Sequence, residues 1–130
     1  MTNTTENRAI SQARSQLESI CELVAAYGMV HKNDADDSEE LEAIYSSVLD
    51  VSVRADWQAA GSLFEPNEYQ LLLCWGGPSM RVIGELDGGA DPTTARLEYQ
   101  DWFTPWRELP TSPEQTEALI DYARFFHFGS

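Results

Sequence analysis

The chain has 130 residues, 42% of them hydrophobic and 11% aromatic, which is enough for one domain with a real core and too little for two full domains. It carries 22 acidic and 8 basic residues, and its formal charge of −14 exceeds the roughly 2 to 8 charges that solubility asks of a small domain. We expect no direct binding to nucleic acid, because phosphate groups need a basic surface.

The sequence shows no targeting or membrane segment. Its start, MTNTTENRAISQ, lacks a basic region followed by an apolar stretch, and no run approaches the roughly 18 apolar residues that a membrane helix needs. We therefore expect a cytoplasmic protein that does not contact membranes. In that compartment Cys21 and Cys74 are expected to be reduced.

Two helix patterns precede residue 50. The apolar residues of the first pattern recur at spacings of three and four: Ile10, Ala13, Leu17, Ile20 and Val24. They predict a helix over about residues 6–27, ended by Gly28. Asp37 and Glu40 have the spacing of a capping box, which predicts a second helix over about residues 38–48.

From Val51 the apolar period changes to two, which is typical of strands. Three further strand patterns follow over residues 69–75, 80–86 and 95–100. Turn residues separate these runs, so consecutive strands are expected to pair antiparallel in a four-stranded meander over about residues 51–101.

The last element is predicted to be a helix over about residues 112–127, ending near Gly129. Ser112 is its expected N-cap, Pro113 takes the first helical position, and Gln115 completes a capping box. The whole chain, residues 1–130, is thus predicted to be one α+β domain with two N-terminal helices, a four-stranded antiparallel sheet and one C-terminal helix.

The alternation in the strands predicts two different sheet faces. The helices are expected to cover the apolar face, made of Val53, Leu71, Leu73, Val82, Leu86, Leu97 and Tyr99. The opposite face is expected to be polar, with Arg54, Asp56, Gln70, Arg81, Glu85, Arg96 and Glu98. Arginines among carboxylates on a sheet favour a structural role through cross-strand pairs. Trp57 and Trp75, at strand ends, are expected in the core.

The segment from Asp34 to Asp50 holds seven carboxylates and no Lys or Arg. The acidic residues of its first part are Asp34, Asp36, Asp37, Glu39, Glu40 and Glu42. On a continuous helix they would follow one another at about 2 Å, close to the roughly 1.7 Å per charge of duplex DNA, so such a surface can compete for a basic nucleic-acid groove. The alternative is that they cap a helix and form a solvated face. The acidic excess of the whole chain favours binding.

A second unusual segment, residues 102–107, contains Trp102, Phe103 and Trp106 around a proline, followed by Arg107. Aromatic residues and arginine are the side chains that most often anchor interfaces. The alternative is that these aromatics form a lid over the open end of the sheet, on the core.

The sequence contains no convincing catalytic or metal-binding pattern. Its histidines, His31 and His127, have no second ligand at a spacing that binds zinc, and Cys74 in an apolar strand is typical of a core residue. The Gly-rich turn at 76–79 lacks the lysine of a phosphate-binding loop. We expect no enzymatic activity and no cofactor or metal site.

Several segments carry a resemblance: VSVR (51–54), LCWGGP (73–78), RVIGEL (81–86), ARLEYQDW (95–102) and YARFFHFG (122–129). Over roughly the last 80 residues the chain resembles a family of small acidic proteins of proteobacterial phages and plasmids. The resemblance implies a genetic context and no catalytic residues. Proteins of this kind include anti-CRISPR and anti-restriction inhibitors, some of which imitate DNA. Related chains have a longer insert between the first helix and the first strand.

Together, charge and resemblance predict a non-enzymatic inhibitor, monomeric or homodimeric, that binds a basic protein surface, namely the DNA-binding or guide-carrying surface of a CRISPR effector or restriction enzyme. The six acidic residues are expected to attract this partner, and Trp102, Phe103 and Trp106 to anchor it, converging on one side of the protein. The alternative is an immunity protein that neutralises a secreted toxin. The sheet face with Arg54, Arg81 and Arg96 is the next candidate surface.

Overall fold

A computed structural model describes residues 4–32, 38–62, 65–76, 78–101, 104–126 and 128. Its elements, in chain order, are helices α1 (Thr4–Lys32) and α2 (Ser38–Ser46), strands β1 (Asp50–Arg54), β2 (Glu68–Cys74), β3 (Ser79–Glu85), β4 (Arg96–Gln100) and β5 (Arg107–Glu108), and helix α3 (Pro113–Ala123). The strands form one antiparallel sheet in the order β1-β2-β3-β4-β5. The predicted α+β meander is confirmed, with five strands where we expected four.

The fifth strand, β5, begins at Arg107, the last residue of the aromatic segment 102–107. Glu108 lies opposite Glu98 and Arg107 opposite Tyr99, and the N–H of Leu109 donates to the C=O of Leu97 over 2.9 Å. A strand of two residues is too short to show an alternation of apolar and polar positions, so it could not be predicted from the sequence.

The core lies between the helices and one face of the sheet. Leu71, Val82 and Leu97 are adjacent in register across β2, β3 and β4, and all three are fully buried. The helices cover them with buried side chains from each element: Ala13, Leu17 and Ile20 of α1, Ile44 of α2, and Leu119 and Tyr122 of α3. Burial of each large apolar side chain contributes about 1.5 to 3 kcal/mol to the stability of the folded state, so the packing of the helices on this face is a main source of stability.

The ends of the helices differ from the prediction. α1 continues past Gly28 to Lys32, and the Tyr27 and Phe125 rings pack edge to face with centroids 4.7 Å apart. This tertiary contact offsets the roughly 1 kcal/mol that a glycine costs inside a helix. α2 ends at Ser46. α3 ends at Ala123, short of the predicted end near Gly129.

The N-terminus of α3 is as predicted. Ser112 accepts a hydrogen bond from the N–H of Gln115, and the Gln115 side chain accepts one from the N–H of Ser112, with Pro113 at the first helical position. The corresponding prediction for α2 involves Asp37, which lies outside the described residues.

Trp57 and Trp75 are not in the core, and this prediction is wrong. Trp57 is fully exposed and Trp75 is 73% exposed. β1 ends at Arg54, so the alternation stops before it reaches Trp57. β2 contains an irregularity between Leu72 and Cys74 and ends before Trp75.

β3 and the segment after it pack too closely for any side chain at Gly84. A Cβ atom at Gly84 would lie 2.0 Å from the backbone oxygen of Thr94 and 2.8 Å from the Tyr69 hydroxyl oxygen. That hydroxyl donates a hydrogen bond of 2.7 Å to the same Thr94 oxygen. The absence of a side chain at Gly84 therefore permits the hydrogen bond from Tyr69 to Thr94, which joins β2 to the segment just before β4.

Replacement of Gly84 by alanine is expected to lower the free energy of unfolding by at least about 1 to 3 kcal/mol, because the Thr94 backbone must move and the Tyr69 hydrogen bond is strained. Gly88→Ala is the matched control, since nothing lies within 4 Å of a Cβ atom at that position. Urea unfolding measures both variants. Equal stabilities for the two would contradict the close approach at Gly84.

Candidate functional site

Carboxylates outnumber cations among the charged side chains that the structure describes on the three helices. Their carboxylates, which are exposed or half-buried, are Glu18, Glu22, Glu39, Glu40, Glu42, Glu114, Glu117 and Asp121. Their cations are Arg8 and Arg14 of α1, and Arg124 follows as the C-cap of α3, with Nη1 3.6 Å from Asp121. We call the eight carboxylates the acidic helix layer. It holds eight of the 22 acidic residues of the chain.

The α2 glutamates have two roles that are compatible. Glu39 and Glu40 lie in the first turn, where carboxylates interact favourably with the helix dipole. Glu39 and Glu42 are exposed, and within the described residues none of the three glutamates takes part in an ion pair. α2 has no basic residue in its last turn. Its charge therefore remains available to a partner.

The open face of the sheet differs from the helices, because its arginines are bonded to carboxylates of the chain. Arg81 donates from Nε and Nη2 to Glu98 Oε1, at 2.9 and 2.6 Å, and from Nη1 to Gln70 Oε1 at 2.7 Å. Arg96 Nε donates to Glu98 Oε2 at 2.9 Å. Across the next strand pair, Arg54 Nη2 lies 2.6 Å from Glu68 Oε2. The structural role expected for these arginines agrees with this geometry.

Glu98 is the centre of this network. Burial opposes the ionisation of Glu98, but the hydrogen bonds from Arg96 and Arg81 and their charges outweigh it, so the pKa of Glu98 lies below its usual value. The Glu98 side chain is only 12% exposed, and Arg81 is 19% exposed. Glu98 therefore stays ionised and binds both arginines on the open face.

A shallow cavity of about 230 Å³ lies on the same face, with Arg54, Gln70, Arg81 and Arg96 among its lining residues. Each of these arginines is already bonded to a carboxylate of the chain. An anion entering the cavity would have to compete with those carboxylates, so the cavity is a poor anion site.

The structure separates the predicted contact residues. Trp106 lies on the open face, with the centroid of its ring 4.1 Å from the Arg81 guanidinium carbon, whereas α2 packs on the helix side through Ile44. The prediction that acidic and aromatic residues converge is therefore wrong for Trp106 and the α2 glutamates. The remaining predicted contact residues, Asp34, Asp36, Asp37, Trp102 and Phe103, lie outside the described residues. Trp106 covers Arg81 and not the apolar core.

Sequence reasoning missed the exposure of β1. Val51 and Val53 alternate with polar residues as a buried strand does, yet they are 41% and 37% exposed. Val53 was expected to be covered by the helices. Asp56 was expected on the open face of the sheet, but it lies beyond the end of β1. No signal in the alternation distinguishes an uncovered strand at the edge of a sheet from a covered one.

The cysteines are free thiols with pKa values that disfavour the thiolate. Burial raises the pKa of Cys21, and the charges of Glu18 and Glu22 raise it further. Burial also raises the pKa of Cys74, although a backbone hydrogen bond from Met80 acts in the other direction. A nucleophilic cysteine needs a lowered pKa, so neither thiol has the environment of a catalytic one.

Across the part of the chain that the structure describes, no three His, Cys, Asp or Glu side chains are grouped so that they could hold a metal ion. The same residues include no helix with the length and apolarity needed to cross a bilayer. No family model, curated protein or solved structure matches this chain. The resemblance to small acidic phage and plasmid proteins therefore remains a prediction.

Glu98→Gln is expected to lower the free energy of unfolding at neutral pH by roughly 1.5 to 3 kcal/mol, because Arg81 and Arg96 lose an ionised acceptor. The pKa of Glu98 is lower in the folded than in the unfolded chain. Its stabilisation is therefore complete above the unfolded pKa, about 4.3, and is lost as the pH falls through the folded pKa. The difference between wild type and variant should shrink in acid.

Urea unfolding between neutral pH and acid tests this expectation. Glu108→Gln is the control, because the Glu108 side chain is 61% exposed and lies 4.0 Å from Arg96. A difference that stays constant with pH, or an equal loss in the control, would show that Glu98 does not hold the two arginines through its charge.

Proposed function

We propose that the protein is a non-enzymatic inhibitor that binds the basic, nucleic-acid-binding surface of a host defence effector, of the CRISPR or restriction type, and presents its acidic helix layer to that surface. The observation that supports this proposal is the unequal distribution of charge between the helices and the strands. Among the described residues, carboxylates outnumber cations on the helices, whereas the strands hold four arginines and five carboxylates and pair most of them.

The pairing on the open face explains why the helix layer keeps its charge. Arg54 and Arg81 are bonded to carboxylates on neighbouring strands, and Arg96 is bonded to Glu98 of its own strand, so these cations are held on the sheet. A surface of one sign raises the rate of encounter with an oppositely charged partner, and the effect falls as salt rises. A nucleic-acid-binding protein is the class of partner whose function requires a large basic surface.

The spacing of the exposed glutamates on α2 is compatible with a phosphate-binding groove. Glu39 and Glu42 lie three residues apart, which is about 4.5 Å along the helix axis. One DNA strand presents a phosphate about every 3.4 Å. Side chains that bind successive phosphates can therefore reach these two carboxylates without large movement.

Charge alone seldom gives a tight complex, so an anchor is also needed. Trp106 is half-buried and stacks on Arg81, so only part of its surface is open to a partner. Trp57 and Trp75 are largely exposed, so both side chains can contact a partner, which they could not do from the core.

The test begins with capture from a bacterial lysate that contains candidate effectors, in low and high salt, with and without excess duplex DNA. The proposal expects a nucleic-acid-binding protein that is captured in low salt and released by the DNA. Capture that persists in excess DNA, or capture of a secreted toxin instead, would contradict the proposal, the second result favouring the immunity function.

A charge variant then tests the surface. The triple replacement Glu39→Gln, Glu40→Gln and Glu42→Gln is expected to slow association with the captured protein by roughly 3- to 10-fold at low salt, with little change in the rate of release. The matched control removes the same charge from loops and strands: Glu65→Gln, Glu85→Gln and Glu108→Gln. Surface plasmon resonance measures both. Equal slowing by the two triple variants would show that net charge, and not the helix layer, attracts the partner.

A further inference from the structure

β1 is the longer of the two strands at the edges of the sheet. The strand order places it at one end, with β2 as its neighbour, whereas β5 at the other end is only two residues long. β1 has five residues and carries exposed apolar side chains. An exposed edge of this kind presents backbone donors and acceptors to which another strand can pair.

The backbone hydrogen bonds show which groups of β1 point away from the sheet. The N–H of Asn67 donates to the C=O of Arg54 over 3.0 Å, so the C=O of Arg54 points toward β2. In an antiparallel pair the direction alternates along the strand, and Ser52 therefore shares the direction of Arg54. The N–H and C=O groups of Val51 and Val53 point to the outer edge.

The side chains of the same two valines are also uncovered. Val51 lies opposite Leu71 and Val53 lies opposite Tyr69, so both belong to the face that packs against the helices. Leu71 and Tyr69 are buried, but the valines are more than one third exposed, because the helices make few contacts with β1. The edge thus offers backbone groups and apolar side chains at the same two positions.

We propose that two copies of the protein pair through β1, antiparallel, about a two-fold axis at Ser52. In this register Val51 lies opposite the partner's Val53, and the outward backbone groups of the valines exchange hydrogen bonds between the copies. The valine side chains cover one another on the helix side. The two sheets become one continuous sheet, with the helices of both copies on the same side.

The charges of β1 select a second copy and this register. Asp50 and Arg54 are equally spaced from Ser52, so Asp50 lies opposite the partner's Arg54 on the open face, and the reverse contact forms at the other end. Arg54 also binds Glu68 through Nε and Nη2, but its side chain is 71% exposed, so it can bind a second carboxylate at the outer edge. Opposite charges directly across two strands stabilise pairing, and like charges destabilise it. A shift by two residues would instead place Asp50 opposite the partner's Ser52 or the partner's Asp56.

β1 carries no net charge of its own. Asp50 and Arg54 cancel in charge, while the acidic helix layer lies on other elements. The net charge of −14 still opposes association, and salt screens that repulsion. Self-association should therefore strengthen with salt, whereas binding to a basic partner should weaken. The dimer is independent of the proposed function, and each can fail without the other.

Sedimentation equilibrium in about 300 mM NaCl, where the Debye length is well below 10 Å, tests the dimer. The proposal expects the wild type to dimerise as its concentration rises, and expects Asp50→Arg, which sets like charges opposite each other twice, to weaken dimerisation at least roughly tenfold. The double variant Asp50→Arg with Arg54→Asp should restore it. Glu65→Arg makes the same change of charge on an exposed loop and should leave the dimer intact.

A cross-link gives a second readout of the register. In the proposed dimer Ser52 faces itself in a non-hydrogen-bonded pair, with Cα atoms about 4.5 Å apart, which is within the range of a disulfide. Ser52→Cys should therefore form a covalent dimer on mild oxidation, above the background that Cys21 and Cys74 give in the wild type. A wild type that stays monomeric, a dimer that Asp50→Arg does not weaken, or a Ser52→Cys variant that does not cross-link would overturn the proposal.

Discussion

The helices cover only one face of the sheet, and the rest of the structure depends on this constraint. On the covered face, Leu71, Val82 and Leu97 can be fully buried because α1 and its neighbours pack over them. On the open face every buried polar atom must find its partner among the strands themselves. The two faces of β2, β3 and β4 therefore carry different chemistry, with apolar packing on one and a charged hydrogen-bond network on the other.

That network has a consequence for the charge of the whole molecule. The chain has few cations, and three of them, Arg54, Arg81 and Arg96, are bonded to carboxylates of the sheet. The carboxylates of the helices consequently have few cations near them. The helix layer is acidic because these arginines pair with carboxylates on the sheet instead. An acidic composition by itself predicts slow self-association and fast encounter with basic partners, but it does not say which surface is acidic.

Much of the fold could be predicted from the sequence, because two signals are strong. The change from a helical period to a period of two separates α1 and α2 from the sheet, and Ser112 with Gln115 gives the start of α3. The failures have physical causes. Gly28 does not end α1, because the contact of Tyr27 with Phe125 stabilises the helix at this point. Trp57 continues the alternation of apolar residues in the sequence, but β1 ends at Arg54, before it reaches Trp57.

The candidate site was less predictable than the fold. Acidic residues on α2 were expected at Glu39, Glu40 and Glu42, and the structure finds them unpaired among the described residues. Their relation to Trp106 could not be predicted, because it depends on which face of the sheet each segment meets. The pairing of Arg81 with Glu98 was readable only in outline, since register decides which carboxylate lies opposite which arginine.

Titration of the isotope-labelled protein with a short oligolysine peptide, followed by the backbone amide chemical shifts, measures most directly which side of the molecule attracts a cationic partner. The unequal charge distribution predicts that the shifts concentrate in α1, α2 and α3 and vanish as salt rises, while the amides of β3 and β4 remain unchanged. Shifts centred on the open face around Arg81 and Glu98, or spread evenly over the chain, would contradict it.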